Sequence, residues 1–175
     1  MPGMSTSTDP TAAESLDSWH QNATYWDDAV GADGNMYWSV LQEPTLAKLF
    51  AAHLPAAAPG ARRALDLATG NGLCARWMAR RGANVVATDG TDGMLDKARA
   101  RWAEEQARAG SEAAASGDIE FAKLDVTEPA DFEALIARLG GERFDVILIN
   151  MAIMDVATLD PLAQALPRLL KEDGV

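Results

Sequence analysis

The sequence predicts an α/β protein with a Rossmann-like parallel sheet, strand order about 3-2-1-4, and helices on both faces. Three observations carry that prediction. Short apolar, β-branched runs at 64–67, 84–89, 119–126 and 144–150 alternate with stretches of helical period. The loops joining them are short, which for strands alternating with helices means parallel pairing and right-handed crossovers. The first run also passes through a glycine turn, Gly70-Asn71-Gly72, directly into a helix, which places a ligand at the carboxyl ends of the strands beside that turn.

Residues 1–13 are small, polar and proline-bearing and read as a disordered tail. Residues 14–60 read as a helical N-terminal cap. Trp19, Ala23 and Trp26 share one helical face, and Tyr37, Trp38 and Leu41 follow the turn Gly31-Ala32-Asp33-Gly34. Aromatics make up only 6% of the chain, so their crowding here marks either the edge of a core or a lid over a ligand. Glu43-Pro44 opens a helix with Leu46, Leu49, Phe50 and Leu54 on one face, ended by Pro55.

From residue 61 to 175 the sheet domain follows. Ala64–Leu67 is the first strand, and the helix after its glycine loop is expected to bury Cys74, Trp77 and Met78, to turn Arg76 and Arg80 outward, and to stop at Arg81-Gly82. The second strand closes on Asp89, Asp92 is placed to cap the next helix, and that helix presents Met94 or Leu95, Ala98 and Trp102. The third strand also ends in an acid, Asp125. A helix with Phe132, Leu135, Ile136 and Leu139 inward precedes the fourth strand, Phe144–Asn150, apolar enough to be buried on both faces. Asp160-Pro161 opens a last helix that carries Pro167.

Bulk properties narrow the function. With 175 residues the chain makes one domain with a proper core. A net charge of -11 disfavours nucleic acid and anionic membrane surfaces as partners. The single cysteine, Cys74, allows no internal disulfide and no cysteine zinc site, and no metal site is expected. With no membrane-length apolar run and no signal pattern, the expected location is cytoplasmic.

The glycine turn fits two cofactors. Gly70-Asn71-Gly72-Leu73-Cys74-Ala75 matches the dinucleotide fingerprint, with Asp89 at the distance suited to a ribose hydroxyl, so an NAD(P)-dependent oxidoreductase is one reading. Asp66 argues the other way. A buried carboxylate in front of the turn repels a pyrophosphate but accepts hydrogen bonds from an ammonium group. Asp125 suits an adenine amino group, and no catalytic Tyr-Lys pair follows in the second half. A cationic nucleoside without phosphates fits three strand-end acids better.

Leu65-Asp66-Leu67-Ala68-Thr69-Gly70-Asn71-Gly72, then Val85–Asp89 with Met94–Arg99, then Leu124-Asp125, then Phe144–Ile147 with Leu169–Gly174 together resemble a class I S-adenosylmethionine-dependent methyltransferase. Within that superfamily the chain is similar to the small-molecule enzymes of the ubiquinone/menaquinone-biosynthesis type. The resemblance implies S-adenosyl-L-methionine as cofactor and a small-molecule methyl acceptor as partner. Asp66 and the loop Ala68, Thr69, Gly70, Asn71 and Gly72 would hold the methionine moiety. Asp89 would take the ribose hydroxyls, with Gly90 and Met94 beside ribose and adenine. Asp125 and Val126 would recognise adenine, and Asn150 and Met151 would lie under the sulfonium. Tyr25, Trp26 and Tyr37 would close over the cofactor. Ala68 stands where many relatives have glycine, which is harmless if its φ is negative.

Methyl transfer from a sulfonium is an in-line displacement with an activated leaving group, so alignment is needed more than acid–base catalysis. No catalytic motif is therefore expected; His20, beside Trp19, is the single weak candidate for a base. The resemblance also implies a seven-stranded sheet, of which this sequence offers four strands and the first residue of a fifth. The domain is thus expected to be truncated before that strand, with Phe144–Asn150 as an apolar edge open to self-association. A non-catalytic cofactor-binding remnant or interaction module is the alternative.

Overall fold

The computed structural model describes residues 11–54, 62–109 and 117–175. Helix α1 (Ala12–Gln21) opens with a reciprocal cap: the Thr11 hydroxyl accepts the Glu14 N–H, and the Glu14 carboxylate accepts the Thr11 N–H. Residues 11–13, expected in the tail, therefore belong to a capped helix; residues 1–10 lie outside the described residues. Helix α2 (Ala23–Val30) follows after a break at Asn22, and the Trp19 and Trp26 rings meet across that break at 5.4 Å.

A π-helical turn (Trp38–Gln42) runs straight into α3 (Glu43–Leu49). Helix α3 stops five residues short of the apolar period, because the N–H groups of His53 and Leu54 both return to the Phe50 carbonyl in a tight turn. That turn buries Leu46, Phe50 and Leu54 and leaves Leu49, expected inward, 59% exposed. The linker 55–60 lies outside the described residues.

Strands β1 (Arg62–Leu67), β2 (Ala83–Asp89), β3 (Ile119–Lys123) and β4 (Val146–Ile149) form one parallel sheet in the order β3-β2-β1-β4. Leu65 is registered with Val86 on one side and Ile147 on the other. Alternate residues feed two cores. Ala64, Val85, Ala87, Val146 and Leu148 pack against α3 and α4 (Leu73–Arg80). Leu65, Leu67 and Val86 pack against α6 (Pro129–Leu139) and α7 (Asp160–Leu169). Helix α5 (Asp92–Ala109) covers the first face through Trp102 and also meets α1 and α2. Its cap is Thr91 rather than Asp92: the Thr91 hydroxyl accepts the Met94 N–H, while Asp92 pairs with Lys123 at 2.7 Å. Pro167 sits inside α7, two residues before its end.

Two expectations about exposure are corrected. Arg76, placed outward by helical period, is 1% exposed, because α4 is covered on its far side as well and every residue from Leu73 to Ala79 is buried. The open edge at β4 is partly filled. Phe144 and Leu170 form a parallel bridge, the Val175 N–H donates to the Asp145 carbonyl, and the Ile147 N–H donates to the Val175 carbonyl. The Asp145 carboxylate secures this edge by accepting hydrogen bonds from Arg62 (2.8 Å) and the Arg63 N–H (2.8 Å) and pairing with Lys171 at 2.9 Å. Among the described residues no helix is long and apolar enough to cross a membrane.

Candidate functional site

The chain runs from β1 outward to β3 and then jumps back to β4, so the switch point of the sheet lies between β1 and β4. A cavity of about 660 Å³ opens there, on the carboxyl side of the strands. Its floor comes from the loops after β1, β2, β3 and β4; its roof comes from α1, α2 and the π-helical turn.

The loop after β1 is built by left-handed steps. Gly70 and Gly72 have φ of 57° and 78°, and a Cβ on Gly72 would sit 3.0 Å from that of Ala98. Ala68 shares the left-handed region at φ 51°, against the expectation of a negative angle. That step carries the chain off the strand so that the Thr69 N–H reaches the Thr88 carbonyl and the Thr69 hydroxyl donates to Asp66 at 2.5 Å.

Three carboxylates face the cavity in different states: Asp66 and Asp89 among the last residues of β1 and β2, and Asp125 two residues past β3, which ends at Lys123 rather than at the acid. Asp66 is 1% exposed; burial, reinforced by the charge of Asp89, pushes its pKa up to about 7 against the Thr69 hydrogen bond. Asp89 is also raised by burial, partly opposed by the N–H groups of Thr91 and Gly70, each 3.0 Å from a carboxylate oxygen. Asp125 turns Oδ1 to the N–H and hydroxyl of Thr127, while Oδ2 accepts nothing from the described residues.

Ala68, Thr69, Gly70, Asn71, Gly90, Met94, Val126, Asn150 and Met151 line the same cavity, as do Trp26 and Tyr37. Three sequence candidates do not. Gly72 closes the loop behind the wall. Tyr25 is 66% exposed and stands edge-on to Trp26 outside the lining. His20, the candidate base, is also outside it; its Nδ1 accepts the Gly93 N–H at 3.2 Å, so it ties α1 to α5.

The structure adds wall residues that the sequence did not single out: Leu16, Gln42, Thr91 and Met154. Gln42 accepts from the Asn150 amide at 3.0 Å, joining the roof to the loop after β4. The π-helical turn aims Gln42 there; such turns recur at functional sites, but no residue pattern announces one. Cys74 also lines the wall, and burial raises its pKa well above the usual thiol value, so it is present as a neutral thiol. Among the described residues no group of three or more metal-ligating side chains is assembled.

Carboxylates on the floor, a backbone loop rich in N–H groups and an aromatic roof suit a ligand with cationic and hydroxyl groups at one end and a flat apolar ring at the other.

Comparison with known proteins agrees. Residues 65–175 match the family described as "Methyltransferase domain". No curated protein matches the sequence. Among solved structures, a magnesium protoporphyrin IX methyltransferase from Synechocystis PCC 6803 with bound SAH superposes with a TM-score of 0.53 at 18% identity, over 81% of this chain and 59% of that one. DhpI in complex with SAM and HEP gives 0.56 at 19%, over 96% and 65%. A TehB-like SAM-dependent methyltransferase from Corynebacterium glutamicum gives 0.57 at 20%, over 90% and 70%. The chain thus spans less than two thirds of the length of the first two. These likenesses carry the fold, and the family match carries the assignment. Since that match, from residue 65 to Val175, takes in more than half of the chain, the chain belongs to the methyltransferase-domain family.

Proposed function

We propose that the chain binds S-adenosylmethionine and serves methyl transfer to a small-molecule acceptor. Within the family we read it as the small-molecule type that resembles the ubiquinone/menaquinone-biosynthesis enzymes. The observation that carries the cofactor is the single cavity onto which Asp66, Asp89 and Asp125 converge beside the glycine loop. The donor set fits the group: Asp66 matches an ammonium, Asp89 Oδ2 has room for a hydroxyl beside the Gly70 N–H, and the free Oδ2 of Asp125 matches an adenine amino group. A pyrophosphate would meet repulsion at the same wall.

Bound there, S-adenosylmethionine would supply an activated sulfonium methyl for in-line transfer to the acceptor, with the carbon–sulfur pair going to the departing thioether. The protein's part is placement. Asp66 and the loop Ala68–Gly72 fix the amino-acid end, Asp89 and Asp125 fix the nucleoside, and Asn150 and Met151 stand where the reacting end would lie. Trp26, Tyr37 and Trp38 provide the aromatic roof above it. In domain terms, residues 14–60 act as a cap on a cofactor domain spanning 61–175.

Calorimetric titration tests the reading, with S-adenosylhomocysteine as probe and NAD and NADP as counter-probes. One-to-one binding of S-adenosylhomocysteine is expected, weakened at least tenfold in Asp89→Ala with the circular dichroism unchanged. Binding of a nicotinamide cofactor without S-adenosylhomocysteine would overturn it.

A further inference from the structure

The site's glycine loop is tied to the N-terminal helices by a buried set of charged and amide groups that reaches the cavity wall at Asp27 and Asn71 and continues behind it to Arg76 and Arg101. Arg76, on α4, lies 1% exposed with its guanidinium directed at two backbone carbonyls from distant segments: Asn71 at 2.6 Å in the loop and Ala32 at 2.7 Å just past α2. Its Nε is 3.3 Å from Glu105 on α5. The Asn71 side chain donates one amide hydrogen to Asp27 at 3.1 Å and the other to the Gly31 carbonyl at 3.3 Å. Asp27, 5% exposed on α2, is in turn held in a two-point pair by Arg101 of α5, at 3.0 Å to each oxygen. Asn71 is therefore gripped at its carbonyl by Arg76 and at its side chain by the cap.

Two features make this more than packing. The residues on either side of Asn71 are left-handed glycines, so the loop has little local preference and its shape is chosen from outside. A buried guanidinium and a buried carboxylate are also expensive to desolvate, and hydrophobic residues would pack α4 against α5 at least as well. What charge provides here is directional bonding to loop carbonyls and amides.

We propose that Asp27, Arg76 and Arg101 form a relay through which the N-terminal cap sets the shape of the glycine loop, making them positioning residues for cofactor binding. The proposal rests on the cofactor reading above. In it the cap has two tasks: its aromatics cover the cavity, and α2 holds the loop ready before any ligand arrives. Loosening the relay releases the loop N–H groups from their binding geometry while the sheet stays folded.

The test uses the full chain with Asp27→Asn, Arg101→Gln, their double variant and Arg76→Lys. Calorimetry with S-adenosylhomocysteine is read beside hydrogen exchange at residues 70–72 in the ligand-free protein. Asp27→Asn and Arg101→Gln are each expected to weaken binding about tenfold. The double variant should be no worse than either, since both cut one relay. Exchange at 70–72 should accelerate in all four while amides of β1, β2 and β4 keep their protection; Arg76→Lys, which retains charge but reaches one carbonyl, should be the mildest. Wild-type affinity in Asp27→Asn overturns the proposal, and so does additive loss in the double variant. If the wild type fails to bind S-adenosylhomocysteine, the cofactor reading falls by itself. The exchange arm then decides the relay: unchanged exchange at 70–72 in Asp27→Asn and Arg76→Lys refutes it.

Discussion

Ala68 shows how one side chain can oppose its own backbone. At φ 51° an L-residue crowds its Cβ against the following carbonyl, a strain of roughly 1–2 kcal/mol that glycine escapes. Glycine gives part of that back through the larger freedom of the unfolded chain. Ala68→Gly is therefore expected to stabilise the protein by about 0.5–1 kcal/mol, read as a rise in urea midpoint at constant slope. Asp66, Asp89 and Asp125 were legible because an acid that ends an apolar strand contradicts its surroundings, and function is the common reason for such a contradiction. Arg76 was not legible. Helical period assigns faces on the assumption that one face meets water, and α4 has no such face along Leu73–Ala79. The angle at Ala68 was equally hidden, since alanine gives no hint of a left-handed step.

At the scale of elements, Trp77 joins the roof to the sheet domain. It is 1% exposed, its indole N–H donates to Glu43 at 3.2 Å, and its ring stands perpendicular to that of Trp38 at 6.2 Å and tilted against that of Phe50 at 6.3 Å. The Arg81 guanidinium lies over the Trp77 ring at 3.8 Å. Through it α4 touches the π-helical turn, α3 and the turn after α3 together. Trp77→Ala is expected to cost about 3–5 kcal/mol in denaturant unfolding. Trp77→Phe, which keeps the contact but drops the hydrogen bond, should lose less than half of that. The strands and the helices of the sheet domain were readable because period 2 and period 3.6 are strong signals in half-buried elements. The cap was read less well. Its helices are short, α1 buries none of its residues, and a capping box at Thr11 and a turn at Phe50 decide their ends. The boundary of the tail and the exposure of Leu49 were missed for that reason.

For the whole molecule, the buried acids pull stability in opposite directions with pH. Burial tends to raise Asp27 and Asp145, but it is outweighed: Arg101 and Asn71 lower the first, and the Arg63 N–H, Lys171 and Arg62 lower the second. Carboxylates held below their ordinary range add stability that is present above that range and lost as pH falls through their folded values. Asp66 and Asp89 are raised, so the folded protein keeps protons there that the unfolded chain has given up. Their contribution is complete below the ordinary carboxylate value of 3.8 and, for Asp66, is gone once pH has risen through about 7. A net charge of -11 adds self-repulsion that also grows as acids ionise. The ligand-free protein should therefore be most stable on the acid side of neutral. An ammonium at Asp66 favours the ionised carboxylate, so cofactor binding near pH 6 should release a proton and affinity should fall as pH drops below about 7, approaching tenfold per unit. Thermal unfolding from pH 4.5 to 8.5, with and without saturating S-adenosylhomocysteine, reads both effects. The melting maximum is expected to move toward neutral pH with ligand, and Asp66→Asn should abolish most of that movement. Parallel curves with and without ligand would place the ammonium away from Asp66 and leave the carboxylate a structural acid held neutral by the core.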